Sequence, residues 1–400
     1  MNRFYRWSLG LLLACLGPLV FAQDGEPKKY EINGYVKYLQ TTTFAKVQGF
    51  PLTNNLIHNR FNFHYYPNEH WTFAVEARNR LFYGEQVKLD PTFGRQIDVY
   101  PSEIDLSVRW ADNQNLVLHS ILDRAYVNYA SDKWDVRLGR QRINWGVNLA
   151  WNPNDLFNAL NFLDFDYEER PGNDALRVQY YPGMLSRLEI AIAPGDFDST
   201  TVAAMLYRFN LKGYDVQAIA GYYQGQLALG GGWEGNIGGA GFKGEGTYFH
   251  PLTKVARDTS DALGLALTAD YLLGNGIYLS VAGLYNSDGD KANLTSGAAL
   301  FSGAATGLQP SARNLFPAEW TFLVQGSGNL TPLLSASGGV MYAPNSAFGE
   351  NMTIFIPSLT YSIKENWDID LIGQLFFSQI DPFSYQPLAS SAFFRLKWSY

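Results

Sequence analysis

Along most of the chain, apolar and polar residues change places every second position. Near the start Ile32, Gly34, Val36 and Tyr38 alternate with Asn33, Tyr35, Lys37 and Leu39. Further on, Phe61, Phe63 and Tyr65 alternate with Arg60, Asn62 and His64, and after Pro67-Asn68-Glu69-His70 the residues Phe73, Val75 and Ala77 alternate with Glu76, Arg78 and Arg80. A period of two is that of a β-strand, so this stretch predicts a hairpin with one oily and one charged face. The unit recurs, with tight turns near Ser131-Asp132-Lys133, Pro182 to Arg187, Leu211-Lys212-Gly213, Asn236-Ile237-Gly238, Gly274-Asn275-Gly276, Asn329 to Pro332 and Lys364-Glu365-Asn366. Generally longer, polar connections separate these turns. The pattern predicts about 18 strands, or roughly 16 to 20 in other registers. The open stretch is 84–121, where Ile104, Leu106, Val108 and Trp110 alternate with Asp105, Ser107 and Arg109. It reads as a hairpin extension beyond the membrane.

Two-faced strands repeated along a whole chain suit a membrane wall. After the N-terminus no apolar run reaches the roughly 20 residues of a membrane helix, and among strand structures only a closed barrel satisfies every backbone group in lipid. Composition agrees: 25 Tyr, 26 Phe and 10 Trp, 38 Gly and only 17% charged residues fit alternating strands with aromatic girdles. The predicted fold is all-β, a transmembrane antiparallel barrel with short periplasmic turns and long extracellular loops, one domain over 23–400. Arg3 and Arg6 precede the apolar run Leu9 to Phe21, and Val20-Phe21-Ala22 offers a cleavage site, so 1–22 reads as a signal peptide. Leu12-Leu13-Ala14-Cys15 also fits a lipoprotein box, which would leave Leu19-Val20-Phe21 exposed. The sole cysteine, Cys15, lies in that segment, so cleavage after Ala22 leaves no disulfide and no thiolate metal site. The first strand follows so closely that no N-terminal plug fits before it. A net charge of −7 argues against nucleic acid as a partner.

The last ten residues put Phe394, Leu396, Trp398 and Tyr400 on one face, with Phe393, Arg395, Lys397 and Ser399 between them. This segment resembles the final strand of bacterial outer-membrane barrels. The resemblance implies an outer-membrane address, with lipid and the barrel assembly machinery as partners; Tyr400 stands where Phe is commonest.

Strand parity also yields an inventory of the expected lumen. Early strands turn Lys37, Arg60, Arg78, Arg80, Arg124, Arg137, Arg177 and Arg208 inward, with Glu76 and Glu189. Later strands turn Asp215, Glu245, Asp270, Asp368 and Asp370 inward, with Lys243, Arg395 and Lys397 as exceptions. A basic arc facing an acidic arc across water would set up a transverse field and confer selectivity. The alternative is a network of ion pairs that fills the barrel.

The densest motif runs from Val136 to Tyr181. Trp134, Val136 and Leu138 begin an outward face that, continued, puts Arg140 and Arg142 in lipid. Either Gly139 permits a bulge that turns them inward, or the strand has already left the hydrocarbon. Asn152-Pro153-Asn154-Asp155 then reads as a helix start, with Leu156, Leu160 and Leu163 on one face. Such a short helix would fold into the barrel and narrow it. Leu138-Gly139-Arg140-Gln141, Trp145-Gly146, Asn152 to Asp155, Arg170-Pro171-Gly172 and Ala175-Leu176-Arg177 resemble porin-like outer-membrane proteins distantly akin to alginate-export channels. The resemblance implies a channel and an inward-folded loop. Candidates for that constriction are Arg140, Arg142, Trp145, Trp151, Asn154, Asp155, Phe157, Glu168, Glu169 and Arg170. The same charges read equally as structural ion pairs. Trp145, Trp151, Phe157, Phe162, Phe165 and Tyr167, beside Asp and Asn, suit sugar stacking or anchoring of the loop.

Catalysis has little support. His58, His64, His70, His119 and His250 sit in no Ser/His or Asp/His signature, metal-ligand spacing is absent, and the glycines at 230–232 and 238–239 have no phosphate-loop context. The expected function is a porin-like channel for passive or weakly selective diffusion of small hydrophilic solutes, saccharides or anions among them, with no cofactor. A non-conducting barrel whose loops bind a partner or polysaccharide is the alternative, and an outer-membrane hydrolase the third.

Overall fold

The computed structural model describes residues 28–45, 51–98, 103–159, 162–164, 166, 168–196, 199–252, 259–289, 311–346, 351–381 and 384–400. The segment 1–22 expected to be a signal peptide, with Cys15, and Leu160, Phe165 and Tyr167 lie outside the described residues. The strands are β1 (Tyr30–Ala45), β2 (Leu52–Tyr65), β3 (Trp71–Gly84), β4 (Ser107–Asp112), β5 (Leu116–Ala130), β6 (Trp134–Gln141), β7 (Asn173–Gly183), β8 (Ser186–Ala193), β9 (Val202–Leu211) and β10 (Tyr214–Tyr223). They continue with β11 (Gln226–Ile237), β12 (Ala240–Pro251), β13 (Ala262–Leu272), β14 (Tyr278–Asn286), β15 (Trp320–Thr331), β16 (Leu334–Pro344), β17 (Asn351–Lys364), β18 (Trp367–Asp381) and β19 (Ser384–Ser399). Apart from β3 and β4, consecutive strands pair antiparallel, and β19 returns to β1 from Tyr35 opposite Ser399 to Ala45 opposite Ala389. Because β3 pairs directly with β5, β4 stands outside the circuit, and the closed ring has 18 strands. Of the alternating stretch 104–110, the residues from Ser107 on form β4, a hairpin with β5 at the loop end, while 104–106 lie outside the strand.

The seam is sealed by its ends. The Gly34 and Tyr400 backbones exchange hydrogen bonds of 3.0 and 2.9 Å, and Tyr400 Oη donates to the Arg60 carbonyl at 2.8 Å. Outside, Leu138, Leu176, Ile190, Met205, Leu267, Val281 and Val324 are exposed, an apolar face suited to lipid. Aromatic pairs border it: Trp134–Tyr180 at 4.6 Å and Trp367–Trp398 at 6.0 Å toward the short turns, Tyr285–Trp320 at 4.8 Å toward the loops.

Inside, the barrel has two storeys, a departure from the evenly polar lumen that parity suggests. On β9 the inward side reads Arg208 near the short turn, then Leu206, Ala204 and Val202 toward the loops; on β18 Asp370 gives way to Ile372 and Phe376. The loop-end half is a hydrophobic core. Its cause is that connections fold inward and bring their own apolar groups. Two single-turn helices, α1 (Glu85–Leu89) and α2 (Phe93–Gln96), seat Val87 and Phe93 against Leu39, Leu56, Val117 and Phe393. The connection 142–172 contributes Ile143, Trp145, Trp151 and Leu156, and Ala312, Leu315, Phe316 and Ala318 before β15 complete the filling. Burial at about 25 cal/mol per Å² makes such packing the main term holding the connections inside.

Two local expectations are corrected. Arg140 stays in register opposite Ala125 and Asp174, so no bulge turns it inward. Gly139 does adopt φ +117°, and Arg140 is sealed by hydrogen bonds to Asp174 Oδ1 at 2.9 Å, to the Leu122 carbonyl at 3.2 Å and to the Ile104 carbonyl ahead of β4. The bulge lies instead on β5, where the pairing with β3 slips between Glu76 and Ala77, so that Asp123 and Arg124 are both buried. The second correction concerns Asn152 to Leu163: its described residues form turns and bends, not an amphipathic helix. The side chains that suit a helix cap are engaged elsewhere, as the site makes plain.

Candidate functional site

Connection 142–172 crosses the lumen, and its described residues are bonded to strands on several sides. Trp145 Nε1 donates to Glu189 Oε1 on β8 at 2.8 Å, and the Trp145 carbonyl accepts from Gln217 on β10 at 2.8 Å. Glu245 on β12 takes the amide of Val147 at 2.6 Å and that of Asn154 at 3.4 Å. Asn154 Nδ2 donates to the Gly231 carbonyl on β11 at 3.0 Å, while Thr247 Oγ1 donates to Asn154 Oδ1 at 2.8 Å. Asn148 reaches the Ala266 carbonyl on β13 at 3.1 Å, and Gln374 on β18 reaches the Leu163 carbonyl at 2.7 Å. A segment tied to β8, β10–β13 and β18 is a diaphragm.

Its root explains the sequence motif. Gln141 Nε2 donates to the Ala175 carbonyl at 2.9 Å, Asn173 Nδ2 to the Phe157 carbonyl at 2.7 Å, and Asn158 Nδ2 to the Pro171 carbonyl at 2.8 Å. These amides cap backbone groups that leave the β-ladder as β6 and β7 part, which buried polar groups require. Asp155 is fully buried, 3.4 Å from the Trp145 amide; burial pushes its carboxyl up to about 7, against the opposing pull of Arg142 and Arg170. Trp145 and Trp151 are 1% exposed, and Trp145 meets Phe157 edge-on at 5.1 Å. Their rings anchor the loop and offer no face to a sugar.

The far end of the diaphragm is held by charge. Lys37 Nζ lies 2.8 Å from Asp166 Oδ1 and donates to the Asp166 carbonyl at 2.9 Å. Lys397 Nζ lies 2.7 Å from Glu168, and Arg395 Nη1 is 3.5 Å from both Asp166 and Glu168. Arg124 closes the return by donating to the carbonyls of Glu169 and Arg170 at 2.6 and 2.8 Å. Of the candidate charges, Arg140 pairs with Asp174 and Glu168 belongs to this latch.

The remaining wall charges fall into small groups. Arg60 pairs with Glu76 and Asp123, with Arg78 Nε 3.2 Å from Asp123. Arg80 donates to the Ile97 carbonyl at 3.2 Å. Toward the short turns, Arg137 donates to Asn128 at 2.9 Å, Arg177 to Asp135 at 3.1 Å and Arg208 to Gln217 at 2.6 Å, while Arg187 lies 3.4 Å from Glu189. Of the acidic set, Asp215 accepts from Asn210 at 2.8 Å, Asp368 from Ser362 at 2.7 Å, and Asp370 from Arg395 at 2.8 Å. Asp270 faces Gly241 across β12–β13. Counted round the ring, β12 with Glu245 stands opposite β2 with Arg60, β13 with Asp270 opposite β3 with Arg78 and Arg80, and β18 with Asp368 and Asp370 opposite β9 with Arg208. Nine places round the ring from β5–β8 lie β14–β17, which carry no charged residue except Lys364 beside its turn. Sequence reasoning also missed Asp123, hidden by the bulge, and the second inward segment, where Arg313 Nε is 2.6 Å from Asp288.

No protein-family model and no curated protein matches the sequence. Solved structures do. Acinetobacter baumannii OccAB4 superposes with a TM-score of 0.55 at 10% identity, over 93% of this chain and 98% of that one. Pseudomonas aeruginosa OccK5 (OpdH) gives 0.57 at 9% identity over 93% and 98%. The outer membrane protein OpdK of Pseudomonas aeruginosa gives 0.56 at 8% identity over 92% and 98%. At such identities the likeness is one of architecture, and it extends over nearly the full length of each chain.

Proposed function

We propose that this chain is an outer-membrane channel for small hydrophilic solutes, with its short turns and both termini in the periplasm and its long loops outside. The observation that carries the reading is the diaphragm of 142–172, bonded to opposite parts of the wall above a polar half-lumen. A loop fixed across a barrel limits what passes by size and local charge. Arg177 and Arg187 pair with Asp135 and Glu189, whereas Arg137 and Arg208 bond to the neutral amides of Asn128 and Gln217 and give the periplasmic half a positive flank, so anions are favoured over cations there. The C-terminal strand delivers the chain to the barrel assembly machinery. Single-channel recording in planar bilayers tests the proposal: discrete conductance with chloride more permeant than potassium is expected, and complete absence of current at every applied voltage overturns it. The packed loop-end half favours a second reading, a sealed barrel that presents its loops to a partner. The same recording separates the two.

A further inference from the structure

The uncharged wall of β14–β17 is built in register. Tyr278, Ser327, Ser337 and Ser358 are successive cross-strand partners on neighbouring strands, and Asn329, Ser335 and Thr360 form a second row below them. All share the inward parity of Leu323, Met341 and Ile354, which are buried higher up. They line a cavity of about 310 Å³ near the short turns. Among the described residues, the side chains of Ser327, Asn329, Ser335, Ser337 and Ser358 hydrogen-bond to no other protein group; Ser327, Asn329 and Ser337 are exposed and Ser335 and Ser358 half-buried. Rigid strands hold them about 4.8 Å apart across the sheet and about 7 Å apart along it.

We propose that this recess is a binding subsite for an uncharged polyhydroxylated solute, a saccharide of one or two rings. A hydroxyl both donates and accepts, as does an amide group taken whole, whereas guanidinium only donates and carboxylate only accepts. A lattice of hydroxyls and one amide therefore matches a ligand whose own groups are hydroxyls, and it exchanges wall-bound water for them at little cost. An anion finds its counter-charges on the opposite wall, not here. Apolar solutes find only Ala336 and the Tyr278 ring, and that ring suits the apolar face of a sugar. The proposal names a solute class for the channel reading, yet binding does not depend on conduction.

The test uses sucrose as probe and the full chain in detergent and in planar bilayers. Equilibrium binding by calorimetry is compared between wild type and the double variant Ser337→Leu, Ser358→Leu, which fills the recess and removes two facing hydroxyls; heat-modifiable electrophoretic mobility confirms that each is folded. Saturable binding to wild type, weakened roughly tenfold or more in the variant, is expected. Sucrose added on the periplasmic side should block wild-type current with the same dependence. No binding to wild type, or equal binding to both proteins, overturns the subsite, whereas binding without any conductance overturns the channel reading and leaves the subsite standing.

Discussion

Replacing Lys37 by Met tests whether charge holds the diaphragm. Methionine keeps the length of the side chain and removes the ammonium, which is fully buried and 2.8 Å from Asp166 Oδ1. At an effective dielectric of about 20, that pair attracts by roughly 6 kcal/mol, and desolvation cancels much of it. Removing one member of a buried pair typically costs about 3–5 kcal/mol because its partner is stranded. Here Asp166 keeps Arg395 at 3.5 Å, which lowers the expected loss to about 2–3 kcal/mol. At tenfold for every 1.4 kcal/mol, the detached state of residues 164–170 becomes roughly 30- to 150-fold more populated. Hydrogen exchange read by mass spectrometry measures this without assuming any transport: peptides from 142–172 should exchange faster by that factor, while those from β10–β13 keep wild-type rates. In bilayers the same variant should give noisier current. Unchanged exchange across 142–172 in a folded variant would refute the latch, since a loop held by its aromatic packing alone has no use for Lys37.

Gly34→Val should break the seam. A side chain there would overlap the Arg60 carbonyl and meet Tyr400 Oη at 2.8 Å, so the folded fraction, read by electrophoretic mobility after urea titration, should fall sharply; a wild-type midpoint would contradict the account. Asp123→Ala removes the carboxylate shared by Arg60 and Arg78; because Arg60 keeps Glu76, the expected loss is about 2–3 kcal/mol, visible as a lowered thermal midpoint. Asp155 supplies a pH dependence. Its folded value of about 7 lies above the ordinary value near 3.9, so docking of the loop is strongest below both and weakens as pH rises through about 7. The ratio of intrinsic-rate-corrected exchange at pH 8 to that at pH 5 over 142–172 should therefore shrink in Asp155→Asn, and an unaltered ratio counts against the assignment.

The wall was legible because lipid and lumen demand opposite chemistry from successive residues. Phe61, Phe63 and Tyr65 against Arg60, Asn62 and His64 left little freedom of register, since a slip of one would reverse every side chain. Parity says which side a residue faces, but not what waits there. Arg208 and Leu206 share a side, yet one meets a polar half-lumen and the other a packed core, a difference decided by loops hundreds of positions apart in places. Asp123 was hidden by the bulge that inverts alternation on β5. The helix reading of Asn152 to Asp155 failed because Asn, Pro and Asp serve turns as well as caps, and Asn154 bonds to the wall and Asp155 to the Trp145 amide of the same connection instead. The wall partner, Gly231, lies 77 positions along the chain, beyond any local pattern.

The cations that grip the far end of the diaphragm come from the first and last strands, Lys37 from β1 and Arg395 and Lys397 from β19. Those strands meet only when the ring shuts. A barrel growing strand by strand therefore lacks the Arg395 and Lys397 half of this latch until its C-terminus docks, so circularisation and completion of the latch are a single kinetic event. A chain truncated before Arg395 would lack both.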